Sequence, residues 1–129
     1  MNDSYKLYHK DVGFPHHIRK TITLAKTYNW RFKPVYTPYV LKRAATDIRG
    51  RRKGGIILPE ELNINSCTVI EVGVAKDGKI AKMVLRTEYD HEDDLIIVIL
   101  TRCLTVKTVY LNRRSDDHVT LDRSKYDLP

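Results

Sequence analysis

Cysteine is scarce: 129 residues hold two, Cys67 and Cys103. They lie far apart, inside apparent strands, with no ligand partner at metal spacing. This argues against a disulfide framework or a cysteine metal site, and both read as buried free thiols of a reducing compartment. No apolar run approaches the ~18 residues that a membrane-spanning helix needs. The opening MNDSYKLYHK lacks the apolar core of a signal peptide, so the expected address is the cytoplasm. Acidic residues are scarce in one half only. Residues 1–54 hold 13 Lys and Arg against 3 Asp and Glu, a net +10, whereas residues 55–129 hold 10 against 13, a net −3. An asymmetry of that size points to a polyanionic partner for the first half, nucleic acid foremost.

What is present suits one soluble domain, with 42% hydrophobic and 30% charged residues. A chain of this length can bury a core but not two. Residues 1–13 are polar and read as a flexible arm or as a segment lying across the sheet, and residues 127–129 as a tail. From Phe14 the pattern is double. Ile18, Ile22 and Ala25 share a helical face behind Pro15, yet the same stretch also alternates; helix is the preferred reading. The segment NWRFKPV offers Trp30 and Phe32 between cations, either as stacking platforms for bases or as a lid on the core.

Residues 37–50 read as the clearest helix. Thr37 caps it, Pro38 opens it, Val40, Leu41, Ala44, Ala45 and Ile48 recur at three- and four-residue spacing, and Gly50 stops it. Lys42 and Arg49 lie off that stripe. Arg51, Arg52 and Lys53 follow in a glycine-containing loop suited to phosphate contacts. Residues 59–62 read as a short helical turn. From Cys67 the period becomes two: Ile70, Val72 and Val74 share a strand face, and Asp77-Gly78 signals a tight hairpin. Residues 80–89, 95–101 and 105–111 then read as three further strands. The expected fold is α+β, with N-terminal helices packed on a four-stranded antiparallel meander.

Two constellations carry possible chemistry. A meander brings the turn at Asp90, His91, Glu92, Asp93 and Asp94 beside Asp116, Asp117 and His118. That cluster could hold a divalent metal, but consecutive acids in a turn diverge, so solvated turns are preferred and no metal is expected. The second needs no cofactor. RNA cleavage by its own 2′-hydroxyl requires a base, an acid and cations around the phosphate. His118 suits acid–base work near neutral pH. Tyr126 would serve only if nearby cations lowered its pKa. Lys107, Arg123 and Lys125 could neutralise phosphate charge, with Thr120 and Ser124 orienting it. Lys107 draws notice because it is a polar residue in an otherwise apolar strand.

The order of basic helix, Asp-Gly hairpin, antiparallel sheet and polar C-terminal tail resembles the RelE-like toxins and the wider barnase-, colicin-tRNase- and EndoU-like ribonucleases. VKTVYLN at 106–112 and DHVTLDRSKY at 117–126 look like the closing strand and tail of small phage- and mobile-element-associated members. TPYVLKRAATDIRG at 37–50 resembles their substrate-side helix. The resemblance implies metal-independent cleavage of RNA, with Arg43 and Lys107 on phosphate, His118 or Tyr126 as acid–base residue, and Thr120 or Ser124 as the hydroxyl. Where relatives often begin the helix with His, this chain has Tyr39, which implies a different catalytic set or an inactive binder. Three expectations follow: an RNA-acting endoribonuclease of the toxin type, with or without an inhibitory protein partner; a nucleic-acid clamp without chemistry; or a phage-encoded interaction protein acting on a host or virion component.

Overall fold

A computed structural model describes residues 5–46, 55–115 and 122–129. Its elements run β1 (Lys6–His9), α1 (His16–Thr27), β2 (Arg31–Phe32), β3 (Val35–Tyr36), α2 (Pro38–Thr46), β4 (Leu62–Asn63), a 3-10 turn (Ile64–Ser66), β5 (Cys67–Val74), β6 (Ile80–Glu88), β7 (Asp93–Leu100), β8 (Thr105–Arg113) and a 3-10 turn (Arg123–Lys125). The main sheet has six strands in the order β1-β5-β6-β7-β8-β3, and β2 pairs with β4 in a separate two-stranded sheet. All neighbours are antiparallel except β3 and β8, which are parallel.

This corrects the expected architecture. The sheet is mixed and six-stranded, not a four-stranded meander, and the two helices are interleaved with strands instead of preceding them. Residues 1–13, expected either to fray or to lie across the sheet, contribute β1, which pairs with β5 and buries Tyr8 and His9. The presumed helical turn at 59–62 gives way to β4, whose Leu62 is opposite Phe32 in the small sheet. The two-residue strands β2, β3 and β4 take their stability from partners far away in sequence, and two residues cannot display a period.

Helix α1 forms where the helical reading was preferred. Ile18 is buried, and Ile22 and Ala25 pack against the core beside it. Its end is a Schellman arrangement: Asn29 sits at φ 54°, Trp30 N–H donates to Ala25 O at 2.9 Å, and Asn29 N–H to Lys26 O at 3.1 Å. In α2 the Thr37 hydroxyl accepts the Val40 N–H at 3.2 Å, as the capping signal required. Val40 and Ala44 are buried there, while Leu41 is exposed. The chain returns over the end of α2 at Gly55, where φ is +78° and an added Cβ would stand 2.6 Å from Ala44 O. Only glycine fits that approach.

The core joins one face of the main sheet to both helices. Val72, Leu85, Ile97, Ile99 and Val106 meet Ile18, Val40 and Ala44 in a single apolar cluster. Of three register shifts in the described sheet, two bear on the expected faces of β5 and β8. Val69 pairs with Leu85 but Glu71 pairs with Val84, so Ile70 is the extra residue. Val98 pairs with Thr108 but Ile99 with Val106, so Lys107 is extra in β8. An extra residue shifts the inside–outside alternation by one. Val69, Val72 and Val74 therefore belong to the core, where Ile70, Val72 and Val74 were expected to share a face.

Candidate binding cleft and basic face

The sheet face away from the helices holds a cleft of about 420 Å³. Ile70, Val84 and Val98 line it together with the polar side chains of His9, Glu71, Lys82, Tyr110, Lys125 and Tyr126. Register explains the grouping: His9 is opposite Glu71, Glu71 opposite Val84, and Lys82 opposite Gly73. Adjacent side chains on one sheet face stand within contact range. The Tyr126 hydroxyl donates to Glu71 Oε1 at 2.7 Å, and Lys82 Nζ lies 3.4 Å from Glu71 Oε2. The Tyr126 ring meets the His9 ring at 4.9 Å between centroids. His9 Nδ1 accepts the Asp11 N–H at 3.1 Å, which leaves the ring proton on Nε2 in the neutral form.

Among the described residues, Tyr126 is the one member of the expected catalytic set that lines this cleft, and its electrostatics run against the expected lowering of its pKa. Burial, the hydrogen bond to Glu71 and that carboxylate's charge push its pKa well above the usual tyrosine range. Tyr126 accordingly donates to Glu71, and the shift is opposite in direction to the lowering that the acid–base role was expected to need. Lys125 lines the same cleft, whereas Ser124 is turned into its own loop, its hydroxyl and N–H both donating to Asp122 Oδ1. Arg123 reaches Asp11 O at 3.3 Å.

The other candidates lie elsewhere. Arg43 is exposed on α2, its guanidinium 5.6 Å from the Tyr39 ring centroid. Val40 and Ala44 of α2 pack on the core face, so the sheet separates Arg43 from Tyr126. Lys107 is exposed at its bulge. Lys42 is exposed on α2. Arg49, Arg51, Arg52, Lys53, His118 and Thr120 lie outside the described residues, as do Asp116, Asp117 and the expected helix stop at Gly50.

The acidic turn is organised by arginine. Asp94 receives Arg86 Nε on Oδ2 at 2.7 Å and Arg114 Nε on Oδ1 at 3.0 Å. Arg86 also donates to Arg113 O at 3.1 Å, and Arg114 to the carbonyls of Asp90 and Asp93. Asp90 Oδ1 accepts the N–H groups of Glu92 and Asp93. His91 and Glu92 are exposed, as expected of a solvated turn, but Asp93 and Asp94 are buried and clamped by arginine; the second expected turn, at 116–118, lies outside the described residues. Among the described residues no three His, Cys, Asp or Glu side chains are placed to share a metal ion.

A further surface lies over the helices. Lys20, Lys26, Lys33, Lys42 and Arg43 are exposed, and among the described residues none lies within ion-pair distance of a carboxylate. Tyr28 is 80% exposed and Tyr39 60%. Phe32 is buried and stacks on Trp30 at 4.4 Å, so this pair closes the core instead of presenting free rings. Cys67 is buried, but Cys103 is exposed in the turn before β8, contrary to the expected buried thiol.

Sequence reasoning missed His9, Glu71 and Lys82. The signal that singled out Lys107, a polar residue in an apolar strand, was equally present at Glu71 in CTVIEVGV and at Lys82 in IAKMVL. Set against known proteins, the chain matches no family, no curated protein and no solved structure.

Proposed function

We propose that this is a cytoplasmic RNA-binding protein that engages single-stranded RNA through its helical side. The observation that carries the reading is the exposed set Lys20, Lys26, Lys33, Lys42 and Arg43, free of carboxylate partners among the described residues, together with the exposed rings of Tyr28 and Tyr39. Unpaired cations attract a phosphate backbone, and exposed tyrosine rings stack on bases of any identity. Arg43 beside Tyr39 gives one platform both properties. No described helix is long and apolar enough to cross a membrane. Binding without cleavage is the favoured reading: of the expected endoribonuclease set, whose acid–base residue was His118 or Tyr126, His118 lies outside the described residues, and Arg43 and Tyr126 do not face one phosphate. Those two residues stand on opposite sides of the sheet, and the Tyr126 pKa is raised instead of lowered.

The test is fluorescence anisotropy with a labelled single-stranded RNA. If about four cations contact phosphates, the logarithmic salt slope is about −2.8, and affinity falls on the order of 50-fold between 50 and 200 mM salt. K42A and R43A should each reduce that slope by about 0.7, and Y39A should weaken binding about tenfold with the slope unchanged. Binding that ignores salt, or that survives K42A/R43A/Y39A intact, rules the reading out. Intact RNA after incubation is the expected outcome, and its cleavage would restore the ribonuclease reading.

A further inference from the structure

Among the described residues, β1 is an outer strand of the main sheet with β5 as its one strand neighbour. The backbone N–H of Lys10, just beyond β1, turns inward to Ile70 O, so by alternation Leu7 presents its N–H and C=O outward. An outward pair of this kind is a template for another extended chain. Here the C-terminal segment fills it. Asp127 N–H donates to Leu7 O at 2.7 Å, and Leu7 N–H donates to Asp127 Oδ2 at 3.0 Å. One residue earlier, Tyr126 enters the cleft and donates to Glu71. The chain end lies along residue 13, where a Cβ added to Gly13 would stand 3.1 Å from the Pro129 ring.

The rest of this segment is loosely held. Residues 122–125 and 127–129 are exposed, and Leu128 is 80% exposed. A short segment attached by one aromatic ring and a few hydrogen bonds exchanges more readily than a strand buried in a core.

We propose that the outer edge of β1 and the adjoining cleft form a docking site for an extended peptide of a partner protein. That peptide carries a tyrosine followed directly by an aspartate, and the chain's own Tyr126-Asp127 is the resident competitor. The tyrosine hydroxyl is read by Glu71 and its ring by His9; the aspartate is read by the Leu7 backbone. A tethered tail acts at an effective concentration in the millimolar range, so a partner must outbid it through added contacts, for which the cleft beside Tyr126 has room. This site is on the sheet face away from the helices, so it stands independently of RNA binding.

The test titrates a fluorescent peptide of sequence DRSKYDLP into the full chain, as wild type and as Y126A/D127A. The variant with its tail disabled should bind at least tenfold more tightly than wild type. A peptide with alanine at both of those positions should bind neither. Equal affinity for the two proteins, or no binding to a folded Y126A/D127A at millimolar peptide, overturns the proposal. Hydrogen exchange on the unaltered chain covers the case in which that variant fails to fold. The Leu7 amide should exchange at least tenfold faster than amides of β6 and β7, and excess peptide should slow it. Exchange of Leu7 only together with the core amides also overturns the proposal.

Discussion

Replacing Asp94 by alanine tests whether the acidic turn is an arginine clamp. The Asp94 side chain is 12% exposed and that of Arg86 16%, so both charges have lost most of their water. Deleting the carboxylate leaves the Arg86 guanidinium largely desolvated, with its charge no longer balanced by Asp94 and the Arg113 and Arg114 carbonyls still accepting from it. Removing one partner of a buried pair costs about 3–5 kcal/mol, and the residual exposure places this pair at about 3. A 129-residue chain has an unfolding entropy of about 0.27 kcal/mol/K near its midpoint, so Tm should fall by about 11 °C. D94N, which keeps one acceptor and the shape, should lose roughly half as much. Differential scanning calorimetry gives the shifts, and a double-mutant cycle with R86A should return a coupling on the order of 2 kcal/mol. A Tm fall below about 3 °C for D94A, or a coupling near zero, would refute the clamp and leave the turn as solvated acids.

Two further outcomes follow from perturbed groups. Tyr126 and Tyr36 both have raised pKa values, Tyr126 through burial and Glu71, and Tyr36 through burial, to about 12. The native state thus holds protons that the unfolded chain releases above its tyrosine pKa of about 10; stability is complete below that pH and declines as pH rises through it. Urea melts from pH 8 to 11 should trace that decline, and Y126F should lessen it while losing about 1 kcal/mol at pH 8; an unchanged alkaline slope would remove Tyr126 as its source. The Cys103 thiol is exposed and its pKa is lowered by hydrogen bonding from Thr105, whereas burial raises that of Cys67. Iodoacetamide at neutral pH should therefore add one label to the native chain, at Cys103, as read by mass spectrometry of its peptides, and labelling of Cys67 first would contradict the packing.

The long strands were legible because each repeats its inside–outside choice several times. The spans expected at 80–89, 95–101 and 105–111 lie close to β6, β7 and β8. Thr37 and Pro38 announced α2 because capping is local chemistry. The shape of the sheet was not legible. β1 and β3 are added through partners more than sixty residues away, at His9 against Glu71 and at Tyr36 against Val106. Nothing within KLYH or VY encodes those partners. The candidate site was legible only at Tyr126 and Lys125. Its strand members come from β1, β5, β6, β7 and β8, and only the register brings them together.

The bulges explain why a polar residue in an apolar strand was a misleading guide to catalysis. Were Ile70 a regularly paired strand residue, Glu71 would share Val69's core face, where Val72 and Leu85 are fully buried. An uncompensated carboxylate there would cost several kcal/mol. The bulge instead turns Glu71 to the open face, where Lys82 and Tyr126 compensate it. At Lys107 a bulge again falls on the polar residue itself, and the side chain reaches solvent. The same sequence signal thus has two meanings. At Lys107 it marks a break in the ladder, and one residue after Ile70 it marks the group around which the tail is docked. Only strand register separates the two, and it turns Glu71 toward Tyr126 and Lys82 on the open face.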